Sequence, residues 1–242
     1  MPFRNIYILG GHRLALSYID TLKKARSDGN FSFEKIYSIT NDRKANVFQS
    51  LSKDEIIFQS PAEFIIDKVF SKEKMNTNDV IVPDHTAKHV FLQVFLEIVK
   101  EKFPRLKTTL SPFESSFDPP YLHQGDGGAI WAMSYATWVC PSDCDEPGIC
   151  PHIRDKRTWD FGKSFQKLFK NYPPEKFSIH LFACQPLLSY IACIPFPKIA
   201  GEIKQFVARL EKGKTPTVIV ATHSRCHSIL GQFDVKLKRA SR

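Results

Sequence analysis

Three of the six cysteines fall within one short stretch, Cys140-Pro141-Ser142-Asp143-Cys144-Asp145-Glu146-Pro147-Gly148-Ile149-Cys150-Pro151-His152. Thiolates at C-x3-C-x5-C spacing can reach one iron-sulfur cluster or one zinc ion. Pro follows Cys140 and Cys150, and Pro147-Gly148 turns the chain between Cys144 and Cys150. Fixed prolines and a glycine at the turn lower the entropy lost when such a loop closes on a metal. Bare clustered thiols on a surface would be an oxidation liability, so metal binding is the expected chemistry. Zinc knuckles favour C-x2-C pairs, which this stretch lacks. Cluster loops tolerate wider gaps and carry proline after cysteine, so an iron-sulfur cluster of the 4Fe-4S kind is preferred, with zinc as the alternative.

Full protein ligation needs a fourth ligand. Cys226 lies in the polar run His223-Ser224-Arg225-Cys226-His227, just past an apolar strand pattern, and ranks first. Cys184, at the end of another apolar run, ranks second, and His152 third. Cys193, among Ile191, Ala192 and Ile194, reads as a buried small hydrophobe. If none of these ligates, one iron stays open and acts as a Lewis acid. Tyr135, Trp138 and Trp159 would flank the site and tune it. Cys226 with His223 or His227 gives a different chemistry, a thiolate nucleophile activated by imidazole.

Two further sets of residues have candidate roles. Gly10-Gly11-His12 follows the apolar run Asn5-Ile6-Tyr7-Ile8-Leu9 and precedes a helix pattern. Such a turn can bring a nucleotide or other phosphate-bearing ligand to a helix N-terminus. The full G-x-G-x-x-G fingerprint is missing. His85 and His89 stand at i, i+4 after Asp84, but the glutamate of H-E-x-x-H is absent. They read as two histidines on the polar face of a capped helix.

The elements that must position these residues alternate. Strand patterns at 5–9, 35–40, 55–58 and 80–82 are separated by helix patterns at 13–26, 61–71 and 85–102. Ser60 is the N-cap and Pro61 the first residue of the second helix. Strand, glycine turn, helix and strand resemble the opening of a Rossmann-like unit, and the cysteine-proline stretch resembles ferredoxin usage. From 111 to 128 the chain is rich in Pro and Gly, and a strand over 129–139 would deliver Cys140. A helix at 161–170, a strand at 177–183, a helix at 197–210 and a last strand at 215–222 follow. The expected fold is α/β, Rossmann-like, with a mostly parallel sheet. Residues 1–110 form its first half, 111–160 an irregular insertion carrying the metal loop, and 161–242 a second half completing the same sheet.

Charge and hydropathy bound the partners. With 34 Lys and Arg against 25 Asp and Glu, the net charge is +9. That field favours a small anionic ligand or an acidic redox partner protein. Nucleic acid is not favoured, because no aromatic-basic interleaving is present. A zinc-stapled binding module for an anionic partner is the non-enzymatic alternative to an iron-sulfur oxidoreductase. Residues 177–196 carry no charge but include His180, Pro186 and Pro195, which suit buried strands rather than a membrane span. The N-terminus runs straight into a strand pattern, so a cytoplasmic home without a signal peptide is expected.

Overall fold

The computed structural model describes residues 3–71, 76–83, 89–115, 117–140, 144 and 146–238. The chain divides into two compact units, one of Met1–Val90 with Gln185–Gly201 and one of Phe91–Cys184 with Glu202–Arg242.

The first unit is built on β1 (Phe3–Leu9), α1 (Arg13–Ser27), β2 (Phe33–Thr40), β3 (Ile56–Phe58), α2 (Pro61–Phe70) and β4 (Val80–Pro83). Here β3, β2, β1 and β4 pair in parallel, as the intervening helices require. Ile6, Ile8, Val80 and Val82 pack with Tyr18, Ile19 and Leu22 of α1. Tyr7, on the other side of the pleat, meets Phe64 of α2 at 5.0 Å. Ser60 caps α2 by accepting from the Glu63 N–H, and Pro61 opens it.

Two later strands join this sheet, β11 (Gln185–Leu188) and β12 (Ile191–Pro195). The sheet order is β11-β12-β4-β1-β2-β3, and β12 runs antiparallel to both neighbours. The link between β11 and β12 is too short for a crossover, and Ser189 takes a left-handed φ of 46° in it. The uncharged run is therefore strands rather than a span. Among the described residues no helix is long and apolar enough to cross a membrane.

The second unit holds α3 (Val90–Lys102), which starts in the first, then β5 (Leu106–Leu110), β6 (Tyr121–Gly125) and β7 (Ile130–Ser134). A small hairpin of β8 (Ile149–Cys150) and β9 (Asp155–Lys156) follows, then α4 (Phe161–Phe169) and β10 (Phe177–Ala183). The chain returns to it in α5 (Phe196–Glu211), β13 (Thr217–His223) and β14 (His227–Leu237). The sheet order is β10-β13-β14-β7-β6, with β5 pairing the far half of β14. Only β10 and β13 are parallel neighbours on that path.

Phe161, Phe165 and Phe169 of α4 recur every four residues and pack on Trp131, Met133, Ile219 and Leu230. Each such burial is worth roughly 1.5–3 kcal/mol. Phe91 and Phe95 of α3 meet Phe182 at 4.3 and 6.2 Å.

Among the described residues the fold is thus mixed α/β with several sheets and five α-helices. The expected single, mostly parallel sheet is corrected to two mixed six-stranded sheets and a hairpin. The two compact units break near 90, 184 and 201. The stretch expected to be irregular contains β6 and β7, and the strand expected over 129–139 ends at Ser134.

Candidate metal centre

The geometry around the cysteines follows from sheet register. In the second sheet β7, β10 and β13 run the same way, so their C-terminal ends share one edge. β7 pairs β14 with Ser134 opposite His227. Continuing that register, the Tyr135 N–H donates to the Cys226 carbonyl at 2.9 Å. The chain leaving β7 therefore passes Cys226 and reaches Cys140 a few residues later. At the same edge, β10 ends beside β13, where the Cys184 N–H donates to the His223 carbonyl at 2.7 Å.

Cys150 sits at the end of β8 and is 3% exposed. Beyond it the chain folds back, with the Arg154 N–H donating to the Cys150 carbonyl at 2.8 Å. Its thiol is held below the usual thiol range, first by the Ile153 N–H and then by the His152 N–H. The guanidinium of Arg157 adds to that effect. A sulfur served by successive backbone N–H groups is prepared to be a thiolate.

Cys140 is half-buried, and burial raises its thiol, with Cys144 and then Cys150 raising it further. Cys226 is 4% exposed, and burial is the main cause pushing its thiol up to about 11. Trp159 Nε1–H donates to Cys226 Sγ at 3.1 Å and offsets part of that rise. Cys140 is among the groups whose charge Cys226 feels. The structure thus brings Cys226 into the neighbourhood of the cysteine loop. None of the six cysteines forms a disulfide. Among the described residues, no three or more His, Cys, Asp or Glu side chains are gathered as the ligands of a single ion.

Aromatic groups line the site. Trp138 and His152 stack at 4.5 Å with nearly parallel rings, and Trp138 and Trp159 meet at 6.2 Å. Tyr135 stacks on Trp159, and its hydroxyl shares a 2.5 Å hydrogen bond with Ser164. The buried Trp138 Nε1 has no hydrogen bond of good geometry, though it is close enough to Cys140 to lower that thiol in part. The Arg157 Nε is in the same position, while its Nη1 donates to the Pro147 carbonyl.

Glu146 is the residue that the sequence reading missed. Its carboxylate accepts from the Ser224 hydroxyl at 2.6 Å, the Arg225 N–H at 2.8 Å and the Cys226 N–H at 3.2 Å. No spacing rule points to it, because its partners are mostly backbone and far along the chain.

The other candidates are placed elsewhere. Cys193 lies on β12, 0% exposed, in the apolar cluster of the first unit. His12 is exposed and pairs with Asp42 at 3.3 Å. Gly10 has φ 135°, while Gly11 lies so close to Ala45 that a Cβ there would come within 2.7 Å of the Ala45 Cβ. The glycines thus meet packing and backbone needs of the fold. His89 is 4% exposed, which corrects its expected place on a polar face. Asp84 and His85 lie outside the described residues.

The nucleophile reading meets an opposing environment. An activated cysteine has a lowered pKa and access to substrate. Cys226 has a raised one, burial and a Trp partner. A second arrangement looks catalytic at first sight: Ser178 Oγ, His180 and Glu202 Oε2 are linked at 2.9 and 2.8 Å. Ser178 and His180 are buried, and His180 lies against Phe95 and Phe206. This is a satisfied polar network in a core.

The fold and site together define a two-unit mixed α/β protein with a cysteine-rich edge. Residues 87–236 match the model of the AF_1314_C family, described as "Uncharacterized protein, C-terminal domain", and the chain belongs to that family. No curated protein and no solved structure matches the chain.

Proposed function

We propose that Cys140, Cys144, Cys150 and Cys226 hold an iron-sulfur cluster of the 4Fe-4S kind, and that the protein serves as a redox protein or oxidoreductase. The observation that carries this reading is that the Cys226 N–H donates to Glu146, inside the cysteine loop, at 3.2 Å. Cys140 feels the charges of Cys144 and Cys150, and Cys226 feels that of Cys140. A 4Fe-4S cluster takes one thiolate on each of four irons, which matches this set of four cysteines. The N–H groups of Ile153, His152 and Trp159 already serve two of the sulfurs. Two buried N–H groups without good partners, on Trp138 and Arg157, lie beside the thiols. An anionic metal-thiolate centre would give them a counter-charge.

The rim of the site supports a protein redox partner. Val139 is 95% exposed, and Ile149 and Ile153 are also exposed, beside the exposed cations Arg154 and Lys156. Apolar side chains among cations suit docking of an acidic protein surface. Six cysteines that form no disulfide suit a reducing, cytoplasmic compartment.

Zinc is the second reading, favoured by the hairpin that presents Cys150 with backbone N–H groups on its sulfur. Purification without oxygen separates the two. Iron and acid-labile sulfide in similar amounts, with a brown colour, are expected. A colourless protein with one tightly held zinc would replace the cluster by the zinc-stapled module.

A further inference from the structure

The cysteine loop and Cys226 belong to segments far apart in sequence, and something must hold them together before a metal can. Glu146 is placed to do so. It lies within the loop, two residues after Cys144, with a left-handed φ of 54°. Non-glycine residues adopt that conformation only when their surroundings hold them there. Its Oε1 accepts from the Ser224 hydroxyl and the Cys226 N–H, and its Oε2 accepts from the Arg225 N–H. Ser224 is itself fixed. Its N–H donates to the His227 carbonyl at 2.9 Å, and its hydroxyl oxygen accepts from the His227 N–H at 3.1 Å. The connection between β13 and β14 is therefore a small concave seat of donors, and the Glu146 carboxylate fills it.

We propose that Glu146 is a positioning residue: it latches the cysteine loop onto the β13–β14 connection and so sets Cys226 beside the other three thiols in the metal-free protein. It acts through Cys226 and is not itself a ligand, since both of its oxygens already accept hydrogen bonds from this connection. The proposal rests on the metal-centre reading for its purpose, but its structural half is testable without metal. The latch ties Glu146 and the described residues that follow it to the sheet edge. It also identifies which carboxylate matters, since a glutamate between two cysteines would otherwise read as an oxygen ligand.

The test uses the full chain, metal-free and then titrated with Co2+ as the probe. In the metal-free protein, Glu146→Ala should raise the rate of Cys226 alkylation by iodoacetamide about tenfold or more, read peptide by peptide. Cys193, buried in the other unit, is the internal control and should not change. Co2+ affinity, followed by thiolate-to-cobalt absorption, should weaken roughly 10–100-fold, the usual loss when a group supporting a ligand is removed. Glu146→Gln keeps one acceptor oxygen and should fall between wild type and Ala on both readouts. If Glu146→Ala exposes Cys193 as well, the fold has loosened, and the Gln variant decides. A Gln variant with Cys193 protected and Cys226 faster supports the latch; one with Cys226 at the wild-type rate overturns it. Unchanged Cys226 labelling with unchanged Co2+ affinity in Glu146→Ala also overturns it. If the wild type takes up neither iron nor Co2+, the metal reading falls, while Cys226 labelling still judges the latch.

Discussion

Cys193 and Cys226 are both buried, and burial pushes both thiols up to about 11. Their surroundings differ. Cys193 lies on β12 among Ile6, Ile8, Val80 and Ile191, and Gln185 Nε2 donates to its sulfur at the long distance of 3.9 Å. Cys226 has the Trp159 N–H on its sulfur, the Glu146 carboxylate on its backbone, and Arg157 and Cys140 within electrostatic reach. Burial and acidity alone would rank the two as equals. The polar neighbours separate a thiol enclosed by apolar side chains from one with a hydrogen-bond donor on its sulfur and a carboxylate on its backbone. The same contrast runs through the two units. The first closes on apolar packing against a mixed sheet, and the second collects donors and aromatic rings at one sheet edge.

The sharpest way to break this comparison is to remove the thiols one at a time. Cys140→Ser, Cys144→Ser, Cys150→Ser and Cys226→Ser should each lose most of the bound iron and its visible absorbance, because a lost thiolate leaves an iron under-coordinated. Cys193→Ser should keep its iron and lose only about 1–3 kcal/mol of stability to a buried hydroxyl. Iron retained in Cys226→Ser but lost in Cys184→Ser would move the fourth ligand to Cys184. Iron retained in both would move it to His152 or leave an open iron.

Next in size are two close-packed glycines, one per unit. Gly11→Ala forces a methyl against the Ala45 Cβ at 2.7 Å, which cannot swing away. It should cost about 1–3 kcal/mol in urea unfolding. Gly231→Ala meets the Leu92 Cδ2 at 2.6 Å, the end of a side chain that can shift, and should cost less. The reverse order would mean that the first unit is the looser of the two.

A pH effect comes from His180, in the second unit. Burial is the main cause holding it below the ordinary value of 6.5, against the opposing pull of Glu202. The unfolded chain then binds the proton more readily than the folded one. Its contribution to stability is complete above pH 6.5 and is lost as pH falls through that value. The slope is at most about 1.4 kcal/mol per pH unit. Urea midpoints measured from pH 8 to 5 should show this fall, and His180→Gln should flatten it.

The smallest effect is expected from Trp159→Phe. It keeps the ring and deletes the N–H to Cys226 Sγ. Iron content should stay the same. The reduction potential should become more negative, since that N–H favours the more negatively charged, reduced cluster. An unchanged potential would remove Trp159 from the list of tuning groups.

Much of the first unit was legible because its strands and helices carry clean local signals. Asn5 to Leu9 is a continuous apolar run, Ser60-Pro61 is a cap with a proline behind it, and α1 shows its apolar stripe. The later chain was harder to read. β14 begins at His227 in a polar, reactive-looking loop and ends in Lys236 and Leu237. It is nevertheless the strand that both β7 and β5 pair with. β11 and β12 were hidden inside one uncharged run and belong to a sheet begun long before. Local pattern shows that a strand forms, whereas its partner depends on which edge remains open when the chain returns.

By itself the sequence determined the chemistry on offer: three thiols within one Pro-Gly loop, a fourth near the chain's end, and tryptophans on either side of the loop. Composition and spacing suffice for that, because thiol chemistry belongs to the residue. Only the tertiary structure decided which distant cysteine joins the loop. The antiparallel register of β7 and β14 puts Tyr135 on Cys226, and Glu146 closes the remaining gap with three hydrogen bonds. Register is set by long-range backbone pairing and side-chain burial, and neither is written in any local stretch of the chain.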